Sequence, residues 1–167
     1  MPACFVKRYS KREKEYAVEV NKDAPAIATG EIEIRAEPEV VWDVLADIDR
    51  WPSWNPDVKE ATLMGGLRES SVFRWKAGPG RITSTLEKVD RPREIGWRGR
   101  TMGINARHVY RLEPHAEGTR VHTEESFDGP IVRLLKGPMR KTLQKGIDGG
   151  LLHLKAEAER RSTPMAQ

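Results

Sequence analysis

The chain has 167 residues, 38% of them hydrophobic and 32% charged, with a net charge of +4 at pH 7. That length fits one domain able to bury roughly two-thirds of its unfolded surface, and the composition excludes a disordered chain. A single cysteine, Cys4, excludes a disulfide framework and a thiolate zinc cluster, and no apolar run approaches the roughly 20 residues of a membrane-spanning helix.

The first residues are charged where a secretory signal is apolar, so a cytoplasmic location is expected. Lys7, Arg8, Lys11, Arg12 and Lys14 crowd the N-terminal region, and Arg133, Lys136, Arg140, Lys141 and Lys145 crowd the approach to the last helix. Neither cluster is borne on a recognised nucleic-acid-binding motif, and Glu13, Glu15 and Glu19 dilute the first. Both read as solvated basic surface, and no nucleic-acid partner is expected.

Residues 1–26 read as a basic extension in which Tyr16, Val18 and Val20 alternate weakly enough to add at most a short strand. Ile32 and Ile34, two apart in IATGEIEIRA, mark the first regular strand. A helix follows in EPEVVWDVLADI, with Pro38 suited to its first position and Glu39 to its first turn. Val40, Val44 and Ile48, with Val41 and Leu45, form its apolar stripe. The stretch RWPSWNPDV (50–58) ends that helix. Pro52 and Pro56 lack a backbone donor and push the preceding residue toward extended backbone, so a loop carrying Trp51 and Trp54 is expected.

Strands are predicted over 58–64, 70–77, 81–89, 94–100, 104–113 and 119–127. The breaks between them, such as Gly65-Gly66 and Gly78-Pro79-Gly80, are short and rich in Gly and Pro, which argues for antiparallel hairpins. Leu143, Ile147, Leu151, Leu154 and Ala158 step by four or three and mark a long C-terminal helix. Gly146, Gly149 and Gly150 inside it each cost about 1 kcal/mol against Ala. Close approach to the sheet, room for a ligand or a helix break would each explain them. The predicted class is α+β, a curved antiparallel sheet wrapped around the last helix. The domain is expected to span 27–162, with 163–167 expected to be a disordered tail.

Alternation assigns faces to the strands. Phe73, Trp75, Ile82, Leu86, Trp97 and Tyr110 fall on one face, and arginines crowd the other, so the first face is taken as inward. Ser84, His108, Thr123 and Glu125 are the polar exceptions there. A tight turn over Pro114 to Gly118 pairs His108 with Thr123 and leaves Glu125 diagonal, whereas a slip of two residues sets His108 opposite Glu125. Each of these two groups is costly to bury alone. Together they share a hydrogen bond and can donate and accept a proton near neutral pH. His108 and Glu125 are therefore candidate catalytic residues, and a satisfied polar cluster in a wet cavity is the competing explanation. The four histidines have no metal-ligand spacing, no phosphate-binding loop opens a helix, and no metal or cofactor is expected.

The order of EPEVVWDVLADIDRWPSWNPDV, VDRPREIGWRGR, ARHVYRLEP and GTRVHTEESF resembles the SRPBCC superfamily, nearest its polyketide cyclase/dehydrase-like branch. That branch shares the helix-grip fold of START domains and the birch-pollen allergen, and the resemblance covers residues 27–160. It implies a hydrophobic cavity between the concave sheet face and the C-terminal helix, with the 50–58 segment near its mouth. The expected function is binding of a small lipid-like, aromatic or polyketide-like molecule by a monomer or homodimer. Trp54, Phe73, Trp75, Trp97 and Tyr110 would form the walls, and Ser84, Thr123, His108 and Glu125 would orient polar atoms. Two alternatives stand beside it. One is an aromatase/cyclase or dehydratase in which His108 and Glu125 move protons, although no catalytic motif matches. The other is a non-catalytic interaction module using the basic surface. Of the loop tryptophans, Trp51 is expected to pack and Trp54 to lie nearer the opening.

Overall fold

Period-two alternation dominates from Ala26 to Asp128, and it resolves into seven strands. The computed structural model describes residues 18–163. Strand β1 (Ala26–Ile34) leads into helix α1 (Pro38–Ala46), a 3-10 turn (Ile48–Arg50) and the single-turn helix α2 (Trp51–Trp54). Then come β2 (Val58–Met64), β3 (Val72–Ala77), β4 (Gly80–Asp90), β5 (Glu94–Thr101), β6 (Ile104–His115) and β7 (Gly118–Asp128). Helices α3 (Pro130–Leu134) and α4 (Lys136–Ser162) complete the chain. All pairings are antiparallel, in the order β1-β7-β6-β5-β4-β3-β2, so five successive hairpins form the sheet and β1 adds beside the last strand. With α4 held against it, this is the expected α+β helix-grip arrangement.

Two local expectations are corrected. The segment 50–58 is largely helical. Pro52 sits in the first turn of α2, where its missing N–H has no intrahelical acceptor to lose. The Asn55 N–H closes that turn on Trp51 O at 2.9 Å, and Asn55, ahead of Pro56, is extended. The second correction concerns the β6–β7 hairpin. Pro114 belongs to β6, opposite Thr119, and His115 pairs with Gly118, so the turn contains only Ala116 and Glu117. This tighter turn sets His108 opposite Glu125 and Tyr110 opposite Thr123, the register that follows from the two-residue slip.

Residues 18–25 cross the convex face of the sheet. The Val18 N–H donates to Glu94 Oε1 at 2.9 Å, Arg111 Nη2 donates to Val18 O at 2.8 Å, and the Asn21 N–H donates to Ser126 Oγ at 3.1 Å. Val20 of this segment is buried. Neither Val18 nor Val20 is in a strand, and Tyr16 lies outside the described residues.

Helix α4 protects an otherwise open sheet edge. Its buried stripe, Leu143, Ile147, Leu151, Leu154 and Ala158, lies along β1. The approach is closest at Gly30, where a Cβ would stand 2.7 Å from Leu151 Cδ1 and 2.8 Å from Ile147 Cγ2. Arg140 Nε, Gln144 Nε2 and Lys155 Nζ donate to the carbonyls of Pro25, Thr29 and Glu33 at 2.8, 3.0 and 2.5 Å. Side chains thus satisfy backbone acceptors that would otherwise invite another strand. The helix runs unbroken through Gly146, Gly149 and Gly150. Nothing lies within 4 Å of a Cβ at Gly146, and those at Gly149 and Gly150 would come no closer than 3.7 Å to Asp57 Oδ2 and the Tyr110 hydroxyl. These glycines border open space. Among the described residues, no helix is long and apolar enough to cross a membrane.

Candidate functional site

The open space is a cavity of about 1270 Å³ between the concave face of β3–β7, helix α2 and one face of α4, larger than the roughly 300–1,000 Å³ typical of small-molecule sites. Its aromatic wall centres on Trp51. That indole is buried because its Nε1 donates to Leu45 O at 2.9 Å, satisfying a carbonyl at the end of α1 that has no intrahelical partner. The ring stands edge-on to Phe73 and Trp75, with centroids 5.5 and 5.6 Å away, and tilts against Trp97 at 5.5 Å. Trp97 stacks on Tyr110 at 5.9 Å.

Of the residues expected to bind ligand, Trp54, Trp75, Ser84, Trp97 and Tyr110 line the cavity, as do His108 and Glu125. Phe73 and Thr123 do not reach it: both are fully buried behind the wall. Trp75 Nε1 donates to Ser84 Oγ at 3.1 Å. Both loop tryptophans border the space; Trp51 is the more buried, and the Trp54 Nε1 has no hydrogen-bond partner among the described residues. Sequence reasoning missed Met139, Thr142 and His153 on the face that α4 turns toward the cavity, and it left Gly146, Gly149 and Gly150 among three explanations, of which room beside the cavity fits their position. The i, i+3, i+4 spacing of that face was available as a signal, but small and polar residues leave no apolar stripe to detect.

The polar pair has one internally consistent proton arrangement. Thr123 Oγ1 lies 2.9 Å from Val109 O, which can only accept, so the hydroxyl donates there. His108 Nε2, 2.9 Å from the same Oγ1, must then be the donor. The ring is the Nε2–H tautomer, and the lone pair of Nδ1 faces Glu125 Oε2 at 3.5 Å. Burial pushes the Glu125 carboxyl up to about 8 and the His108 imidazole down to about 3. At pH 7 both are neutral, and the carboxylic acid is the proton donor facing Nδ1. Burial, followed by the adjacent Glu125, also raises the Tyr110 phenol. A proton can pass between Glu125 and His108 without changing the net charge of the cavity. Among the described residues, no group of three or more His, Cys, Asp or Glu side chains is placed to hold a metal ion.

The family described as polyketide cyclase / dehydrase and lipid transport matches residues 25–159. The chain belongs to that family. Among curated proteins, none matches it by sequence. Solved structures of the same fold include a hypothetical protein, jhp0584, from Helicobacter pylori, 16% identical with a TM-score of 0.74 over 95% of this chain and 99% of that one. The Zhui aromatase/cyclase from Streptomyces sp. R1128 is 16% identical, with a TM-score of 0.73 over 82% and 95% of the two chains. A START superfamily protein from Mycobacterium smegmatis is 16% identical, with a TM-score of 0.59 over 81% and 96%. At these identities the likeness establishes a common fold, and function must be argued from the site.

Proposed function

We propose that this family member binds a small, largely apolar molecule, of lipid-like, aromatic or polyketide-like character, in the cavity between the sheet and α4. The observation that carries this reading is a cavity of about 1270 Å³ with tryptophan walls and a mainly apolar lining surface, the usual character of a small-molecule site. Ser84, His108 and Glu125 orient a ligand hydroxyl or carbonyl. The uncharged state of the pair favours neutral ligand groups over carboxylates. Thr123 acts through His108, whose tautomer it sets. Native mass spectrometry of protein purified without detergent tests the proposal: a non-covalent adduct released on denaturation and extractable into organic solvent is expected. Protein that stays unliganded after exposure to a cell lipid and polyketide extract argues against it.

The neutral acid–base pair favours a second reading, cyclisation or dehydration of a polyketide-like substrate with Glu125 and His108 transferring the proton. Positioned proton transfer contributes roughly 10²–10⁴-fold. Glu125→Gln is then expected to lower turnover at least a hundredfold while retaining substrate affinity within a few fold. Turnover equal to the parent protein would leave binding alone.

A further inference from the structure

We propose that the end of the molecule formed by the β3–β4 turn, the β5–β6 turn and the α3–α4 junction docks on an anionic lipid bilayer. The two turns are neighbours, with Gly80 against Thr101 and Met102, and Gly129 at the start of α3 backs onto Gly103. This brings together large apolar side chains that the fold leaves in water: Met102 is 72% exposed, Leu134 82%, Ile131 41% and Leu135 40%. Single exposed apolar residues are ordinary, but several side chains at one end of a domain mark an interaction surface.

Charge selects the partner. Arg81 and Arg100 flank the two turns, and Lys136, Arg140, Lys141 and Lys145 follow the apolar junction along α4. None of these six cations has a carboxylate partner among the described residues; Arg140 spends its Nε on a backbone carbonyl. The nearby Asp128 is already engaged by Arg133 at 3.2 Å. Apolar side chains on projecting tips, ringed by cations with no carboxylate partner among the described residues, match the interface of a bilayer, where acyl chains lie beneath anionic headgroups. The two most exposed, Met102 and Leu134, sit on a turn and at a helix end and project into solvent, which favours a fluid surface over a shaped protein partner. Met102 and Ile131 also line the cavity, so the docked face is where the cavity meets the membrane.

The test is co-sedimentation of the full chain with vesicles of phosphatidylcholine, with and without phosphatidylglycerol. Binding to the anionic vesicles is expected to exceed binding to the neutral ones by at least tenfold. It should weaken as salt rises from about 0.1 M to about 1 M, because the screening length shortens from ~10 to ~3 Å. Met102→Ser/Leu134→Ser should reduce partitioning at least tenfold, and Lys136→Glu/Lys141→Glu should lose about fivefold or more per charge. All four positions are exposed, and unchanged circular dichroism and melting temperature certify the folds. If both double variants bind like the parent protein, the attraction comes from the N-terminal cations and the proposal fails. If the parent protein binds neither vesicle, the proposal also fails and an acidic protein is the better partner for this face.

Discussion

Glu125 and His108 face each other uncharged at pH 7, and their shifts pull stability in opposite directions. Folded Glu125 keeps its proton up to about pH 8, whereas the unfolded carboxyl loses it near 4.5. The folded chain therefore carries an extra proton between those values, and stability falls as pH rises through them. The unfolded His108 takes a proton below 6.5, which the folded ring accepts only near 3, so its contribution falls as pH drops through that window. The two slopes cancel between 4.5 and 6.5, and Glu125 alone acts above 6.5. Urea unfolding should show the parent protein losing up to ~1.4 kcal/mol per pH unit between pH 6.5 and 8. Glu125→Gln should be flat there; a Gln variant with the parental slope would assign the pH dependence to other groups. Alternation alone placed His108, Ser84 and Glu125 on the concave face, because a buried strand face is fixed by its period of two. It could not choose the partner of His108, since Pro114 was read as a turn residue and in fact lies within β6. Nor does alternation report depth, which is why Phe73 and Thr123 were grouped with residues that reach the cavity.

Glycines in two elements make opposite predictions. At Gly30 a methyl group would collide with Leu151 and Ile147 of α4, so Gly30→Ala should destabilise the protein by roughly 1–3 kcal/mol through overpacking. At Gly146 the added methyl meets nothing within 4 Å, and Gly146→Ala should stabilise by roughly 0.5–1 kcal/mol through helix propensity. Chemical denaturation of both variants checks the pair of signs; equal effects would contradict the assignment of close approach to β1 and open space to the cavity face of α4. The long apolar stripe of α4 was legible because its steps of three and four persist from Leu143 to Ala158. The segment 50–58 was not, because two prolines suggest a loop unless the helical turn is known to start at Trp51, which leaves Pro52 with no hydrogen bond to forfeit. What holds that turn is the carbonyl of Leu45, six residues back, and the rings of Phe73, Trp75 and Trp97, which come from distant strands. Such tertiary contacts lie beyond local pattern.

At the scale of the molecule, element order and hairpin spacing carried the architecture, since each short turn forces an antiparallel neighbour. The pairing of β1 with β7 and the volume enclosed by the sheet depend on packing over distances that no local pattern records. The central claim is that the enclosed space is a binding cavity and that α4 keeps it open with glycine. It is tested by titrating the neutral apolar fluorophore N-phenyl-1-naphthylamine into the parent protein and into Gly150→Phe, whose ring would project toward the Tyr110 hydroxyl. We predict micromolar binding with quenching of the Trp51–Trp97 cluster in the parent protein, and at least tenfold weaker binding in a Gly150→Phe variant of unchanged secondary structure. Equal affinity in the two proteins, or emission enhancement with no tryptophan quenching, would place the probe on the outside of the molecule and contradict the account.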